Sequence, residues 1–370
     1  MSPEALTGVE SMRRQRSIET FVTDYLPDDE KMSYDGRVGF YRLLKEGLGI
    51  DSVRTEFRMK RLIKPDRTFN EATASVYTDS LRAMKEAGLG EPTLVLFTPA
   101  KWMEKEAAES PNHFLELYRS YAERIKSLCQ AAGSTPKYIQ VMNEINTRWQ
   151  TGTSFDRVVD MIHATGDVFK PDFPNTKIMT TILTEPAKGW RQFTEKLISR
   201  AGENLDAIGF DYYPGIYENP AGVPIVGKPP FQAFGGTTPY DWIADQKSEG
   251  ILKDKDVILA ETGATALSSV SRFQQFGYDR IVQSLDHFLL GRERQGQNDT
   301  FAAVGFFTGG HHEAVDTKTP GGLLDFKPWT LVRKNKLGEW TLTNAGSRLK
   351  HLIQTRLHSD QALSLYLTEE

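Results

Sequence analysis

Tyr138-Ile139-Gln140-Val141-Met142-Asn143-Glu144-Ile145-Asn146 is an apolar run that leads straight into an Asn-Glu pair. Four to six apolar or β-branched residues in succession read as a strand buried on both faces, the kind found in parallel sheets. Val257-Ile258-Leu259-Ala260-Glu261-Thr262-Gly263 has the same design: hydrophobic strand, carboxylate, turn. Each glutamate is therefore expected at the C-terminal end of its strand, where α/β barrels place their chemistry.

Outward from these two stretches the chain alternates regularly. Toward the N-terminus, Ser17 to Tyr25 reads as a first strand, followed by an amphipathic helix from Gly36 to Leu48 that ends at Gly49. Ile50 to Phe57 is a second strand, its helix running from Asn70 to Ala87 with Gly88 as the helix stop. Pro92 to Phe97 is a third, with a helix from Ser110-Pro111 to Ala132 that carries serine at the cap and proline at the first position. Tyr138 to Asn143 is then the fourth strand. Beyond it come a helix from Phe155 to Phe169, a fifth strand from Lys177 to Leu183, a helix from Gly189 to Ala201 and a sixth strand from Asp206 to Tyr213. A proline-rich loop and a helix around Tyr240 to Lys247 precede the seventh strand, Val257 to Ala260. A helix from Arg272 to Leu290, an eighth strand from Phe301 to Phe307 and a last helix from Asn344 to Leu357 complete the series.

Eight strands alternating with eight helices, without a linker or low-complexity break, predict an α/β fold: a single-domain (β/α)8 TIM barrel over residues 17–370 behind a polar leader, 1–16. An open doubly wound sheet also alternates strand and helix, but no Gly-rich phosphate loop is present to support it. Extended loops after strands 6 and 8, Gly215 to Tyr240 and Thr308 to Trp340, would edge the cleft. The strand count places Glu144 on strand four and Glu261 on strand seven.

Composition narrows the function. A hydrophobic content of 39% and a charged content of 25% over 370 residues suit one large core, and a formal net charge of -4 gives no reason to expect nucleic acid or an anionic membrane as partner. The expected partner is a neutral oligo- or polysaccharide. Cys129 is the one cysteine, excluding an intrachain disulfide or a cysteine metal cluster; its helical setting marks it as a small buried hydrophobe. Metal-ligand spacings such as HExxH are absent, as are nucleotide fingerprints, so no cofactor is expected. Met1 to Arg16 has no apolar segment of the signal-peptide kind, so the expected location is cytoplasmic, or secreted if a signal has been removed.

Two carboxylates from two strand ends, converging on one cleft, are the equipment for breaking a glycosidic bond. The Asn143-Glu144 pair, Glu261 and Tyr213 at the end of strand six together resemble the retaining glycoside hydrolases of the (β/α)8-barrel clan A, over about residues 17 to 357. The resemblance implies that Glu144 is the general acid/base, Glu261 the nucleophile, Asn143 the partner of the sugar 2-hydroxyl, and Arg54 and Tyr213 supports of the nucleophile. Many clan members end strand eight in tryptophan where this chain has Phe306-Phe307, and several have histidine before the strand-six tyrosine where it has Asp211. Phe307 and Asp211 are therefore expected to shape the sugar subsite in this chain's own way. Tyr212 would point outward by strand alternation.

Further residues are read for substrate. Trp102, Trp149, Tyr217, Trp329 and Trp340 follow strand ends, where an indole or phenol ring would stack on a sugar or merely pack a loop. His311, beside His312, would reach sugar hydroxyls from the strand-eight loop. Trp190 and Trp242 sit on outer helices and read as packing, and Glu56 reads as a structural partner on the same strand face as Arg54. The expected activity is thus retaining hydrolysis of β-linked, or equivalent α-L-linked, glycosides or polysaccharide, in the sense of polysaccharide degradation. Transfer to a sugar acceptor at the same site and sugar binding without catalysis are the alternatives.

Overall fold

The structure, a computed structural model, describes residues 18–24, 32–97, 99–147, 154–184, 187–212, 239–262, 300–306, 332–334, 339–342 and 344–354. Eight strands close into one barrel in sequence order: β1 (Glu19–Asp24), β2 (Ser52–Arg58), β3 (Thr93–Phe97), β4 (Tyr138–Val141), β5 (Lys177–Leu183), β6 (Ala207–Asp211), β7 (Asp256–Thr262) and β8 (Ala303–Phe306). Each strand is parallel to its neighbours, and β8 returns to β1 through Glu19↔Ala303 to Val22↔Phe306. Closure removes both sheet edges. Burial on both faces explains why these strands read as continuous apolar runs.

Outside the barrel lie α1 (Tyr34–Arg42), α2 (Met59–Leu62), α3 (Glu71–Glu86), α4 (Lys101–Glu109), α5 (Pro111–Ala132), α6 (Phe155–Phe169), α7 (Trp190–Ala201), α8 (Pro239–Glu249) and α9 (Asn344–Leu352). The expected caps are mostly in place. The Asn70 side chain accepts from the Thr73 amide at the start of α3, and Gly49, at φ 85°, ends the wide π turn Leu43–Leu48 into which α1 runs. Ser110 caps α5 by position, without a side-chain bond, and Pro111 is its first residue. No helix among the described residues is long and apolar enough to cross a membrane.

The structure corrects the sequence reading at three places. The short helices α2 and α4 lie where loops were read after the second and third strands, and a two-stranded antiparallel hairpin, β9 (Val332–Lys334) with β10 (Trp340–Leu342), falls within the extended loop expected after strand eight. The four residues of α2 and the three of each hairpin strand carry too little periodicity to announce such elements, and α4, nine residues long, begins without a side-chain cap. The polar leader, the Arg272 to Leu290 helix and the rest of the two extended loops lie outside the described residues.

The two ends of the barrel are built differently. At the N-terminal ends of the strands, charges neutralise one another: Lys177 pairs with Asp256 at 2.6 Å, Tyr138 donates to the same carboxylate at 2.8 Å, and Lys170 meets Asp206 at 3.0 Å. At the C-terminal ends, buried acids gather. Glycine makes room beneath them, because a Cβ on Gly209 would stand 2.7 to 2.9 Å from Thr181, Ala260 and Met179.

Candidate active site

Arg54 sits at the centre, although it belongs to an inward-facing run of β2 that would otherwise be core. Its side chain is buried and each of its three nitrogens donates: Nε to Gln140 Oε1 at 2.7 Å, Nη1 to Thr23 Oγ1 at 3.0 Å and to Glu261 Oε1 at 2.5 Å, and Nη2 to Asn143 Oδ1 at 2.6 Å. A planar guanidinium with fixed donor directions can hold four partners from β1, β4, β7 and the turn after β4 in one geometry, which a lysine ammonium cannot. The arginine thus ties the two glutamate-bearing strands together.

The chain leaves β4 through a strained turn. Met142 has φ 61° and Glu144 φ 42°, conformations that non-glycine residues avoid and that persist only where the surroundings hold them. Here they do. The Glu144 amide donates to Thr181 Oγ1 at 2.9 Å, and its carbonyl accepts from the Thr147 amide at 2.9 Å and hydroxyl at 2.8 Å. Asn146 completes the clamp, giving its amide proton to the Leu183 carbonyl at 2.7 Å and accepting from the Leu183 amide at 2.9 Å. The strand therefore stops at Val141, two residues earlier than the sequence reading placed its end, and the turn aims Glu144 inward.

Asn143 Oδ1 accepts from Arg54, from Gln140 Nε2 at 3.0 Å and from Thr181 Oγ1 at 2.9 Å. Three donors on one oxygen fix the amide, so its NH2 is directed away from them. Two N–H donors held in this way suit a hydroxyl acceptor on a sugar.

Glu261 reaches the cavity by an irregularity of β7. Phe210 pairs with Leu259, but Asp211 pairs with Glu261, so Ala260 is an extra residue in the ladder. Ala260 faces the interior beside Gly209, and regular alternation would have turned Glu261 outward. The bulge re-aims it to the same side as Asp211. Glu144, Asp211 and Glu261 are all buried, and one carboxyl oxygen of each lies within 4.8 Å of the others. Burial pushes the Asp211 carboxyl well above the usual carboxylate range; the charges of Glu261 and then Glu144 push it further, while Arg54 and the Thr181 hydroxyl act the other way.

Of the residues expected from the sequence, Arg54, Asn143, Glu144, Asp211 and Glu261 converge here. Tyr213, Trp149, Phe307 and His311 lie outside the described residues, as do Tyr217, His312 and Trp329. Trp102 stands on α4, half-buried against the core. Glu56 is held by Arg58 at 2.9 Å, the structural pairing expected of it. Tyr212 points outward, edge-on to Tyr240 of α8 at 5.0 Å, and Trp190 and Trp242 pack together at 4.8 Å behind Phe210. Cys129 is buried, and burial takes its thiol to about 12.

Gln140, Thr181, Thr23 and Asn146 were not singled out in the sequence, yet they orient the rest. Their signal was present. A glutamine inside Tyr138-Ile139-Gln140-Val141 is a polar group in a strand buried on both faces, and such a group must find partners. The spacing of the three acids would admit a cation, but Arg54 is already bonded to one of them as counter-charge, so the arrangement reads as an acid–base set.

The family model for Glycosyl hydrolase family 53 matches residues 96–221, the stretch from the end of β3 through β6 that carries Asn143, Glu144 and Asp211. Among solved structures, the GH1 β-glucosidase from Exiguobacterium antarcticum B7 superposes with a TM-score of 0.62 at 13% identity, over 92% of this chain and 98% of its own. GH5_18 from Streptomyces cattleya, in complex with GlcNAc, gives 0.63 at 11% identity, over 94% of this chain and 82% of its own. A β-glycosidase, BGL167, gives 0.62 at 14% identity, over 94% and 98%. At these identities the structural likeness is one of fold. No curated protein matches the chain in sequence. The family match over 96–221 and the closed barrel make the chain similar to the (β/α)8-barrel glycoside hydrolases of clan A. It is a glycosidase.

Proposed function

We propose that this glycosidase works with retention by double displacement, on β-linked or equivalent α-L-linked glycosides, with Glu261 as nucleophile and Glu144 as acid/base. The observation that carries the reading is the approach of a Glu144 oxygen to within 4.8 Å of a Glu261 oxygen, with Arg54 donating to Glu261 at 2.5 Å. Retaining pairs stand about 5 to 5.5 Å apart, whereas inversion needs room for a water, roughly 6.5 to 9.5 Å. In the first half-reaction a Glu261 oxygen attacks the anomeric carbon as the bond to the leaving oxygen breaks, and Glu144 gives that oxygen its proton. In the second, Glu144 takes a proton from water, the water oxygen attacks the same carbon, and Glu261 departs. Asn143 N–H donors meet the sugar 2-hydroxyl.

Structural neighbours are β-glucosidases and a protein crystallised with the substrate analog salicin. Aryl β-glycosides are accordingly the first substrates to try. Glu144→Gln keeps the shape of the acid but has no proton to give. Its kcat/KM is expected to fall by about 10²- to 10⁴-fold on alkyl glycosides and by much less on activated nitrophenyl glycosides, whose leaving group departs unprotonated. Equal losses on both would remove Glu144 from the acid role.

A further inference from the structure

Asp211 is not used by the two half-reactions, yet the fold goes to some length to keep it in the cavity. It is fully buried at the end of β6, opposite Glu261 across the bulge, and among the described residues neither of its carboxyl oxygens has a hydrogen-bond partner. The Thr181 hydroxyl beside it gives its single proton to Asn143. A buried carboxylate without donors is among the most unfavourable groups a protein can hold, and among the described residues the charges facing this one are Glu261 from β7, Glu144 from the turn after β4 and Arg54 from β2. Arg54 is already committed to Glu261.

We propose that Asp211 is a third working carboxyl of the site, a neutral acid beside Glu144 and Glu261 that holds the number of negative charges there at one through both halves of the reaction. The role rests on the two-glutamate reading given above. In the free enzyme the charge is on Glu261. In the glycosyl-enzyme Glu261 is an ester and the charge is on Glu144, which has given up its proton. Asp211 keeps its own proton throughout, presenting an O–H dipole to whichever neighbour is ionised, and Arg54 serves as counter-charge in both states. Were Asp211 ionised, a second anion would stand within 4.8 Å of both glutamates in each state. It acts through Glu144 and Glu261, as a positioning residue.

Two measurements test the proton on Asp211. In the first, thermal midpoints of wild type and Asp211→Asn are compared from about pH 3 to about pH 8. A raised folded-state pKa means that both states are protonated at the acid end, where the two proteins should melt alike. As pH rises, the unfolded wild-type chain ionises Asp211 and the folded one does not, so wild type should lose ground steadily to the variant. A flat difference, a gain by wild type with rising pH, or a variant unable to fold would each overturn the proposal, because asparagine differs from the neutral acid only by NH2 in place of OH. Glu144→Gln supplies an independent check: its infrared spectrum should retain a protonated carboxyl at neutral pH, and loss of that band would contradict the assignment. Neither measurement needs a substrate, so their failure is separable from failure of the glycosidase reading.

The second measurement is the pH profile of kcat/KM. Asp211→Ala should lower it by about 10²-fold, as for the loss of one oriented donor, with Asp211→Asn recovering most of that. The alkaline limb in Asp211→Asn should stay in place or move to higher pH. A shift of the limb to lower pH by about one unit would mean that a negative charge on Asp211 had been keeping Glu144 protonated, and would overturn the proposal.

Discussion

Glu261→Gln is expected to lower kcat/KM by about 10⁴-fold or more on every glycoside that the enzyme cleaves, good and poor leaving groups alike. The amide occupies the same volume and its oxygen can still accept from Arg54 Nη1, so the bond seen at 2.5 Å has a replacement and the barrel should survive. What is lost is the nucleophilic oxygen. Glu144→Gln removes a proton whose importance depends on the leaving group; Glu261→Gln removes the bond-forming atom itself. Kinetics on a series of aryl glycosides of graded leaving-group ability separate the two, and a loss of less than about tenfold in Glu261→Gln would take the nucleophile's role from it.

The second large effect is on stability. Arg54→Met keeps most of the volume but leaves the Glu261 carboxylate buried without its cation and strips donors from Gln140, Thr23 and Asn143. Breaking one side of a buried pair costs about 3–5 kcal/mol, which urea titration would register as a lower midpoint. Arg54→Lys restores a positive charge but not the fork, since one ammonium cannot meet acceptors on β1, β4 and β7 at once. It should regain part of the stability and little of the activity. A lysine variant with wild-type kcat/KM would mean that charge alone matters there and that the four-way geometry does not.

Much of this was legible because parallel barrel strands are buried on both faces and so stand out as short apolar runs. Lys177 to Leu183 and Phe155 to Phe169 were readable to the residue for that reason and because Ser154 caps the helix. Glu144 and Glu261 were visible as charges ending such runs. What the sequence could not disclose was how they turn inward. The strained turn with φ 61° at Met142 is held by long-range bonds, from the Met142 amide to the Leu96 carbonyl of β3 and from the Glu144 amide to Thr181 of β5, and the extra residue at Ala260 appears only when β7 is laid against β6. Both are departures from regular strand geometry, and both lie at the site. Asp211 was noticed as a departure from a family pattern, but the lack of a hydrogen-bond partner for its carboxyl oxygens among the described residues is a property of the packed barrel. Thr181 shows the converse limit: in Lys177-Ile178-Met179-Thr180-Thr181-Ile182-Leu183 nothing distinguishes it from Thr180, yet one bonds the site and the other the Val141 carbonyl.

The account stands or falls on a nucleophile and an acid placed too close together for an intervening water. Its most direct test is the anomeric configuration of the first sugar released from an aryl β-glycoside, followed by proton NMR before mutarotation sets in. The account predicts the β-anomer, formed by two inversions at one carbon. Release of the α-anomer would mean a single displacement by water, and would contradict the assignment of Glu261 as nucleophile.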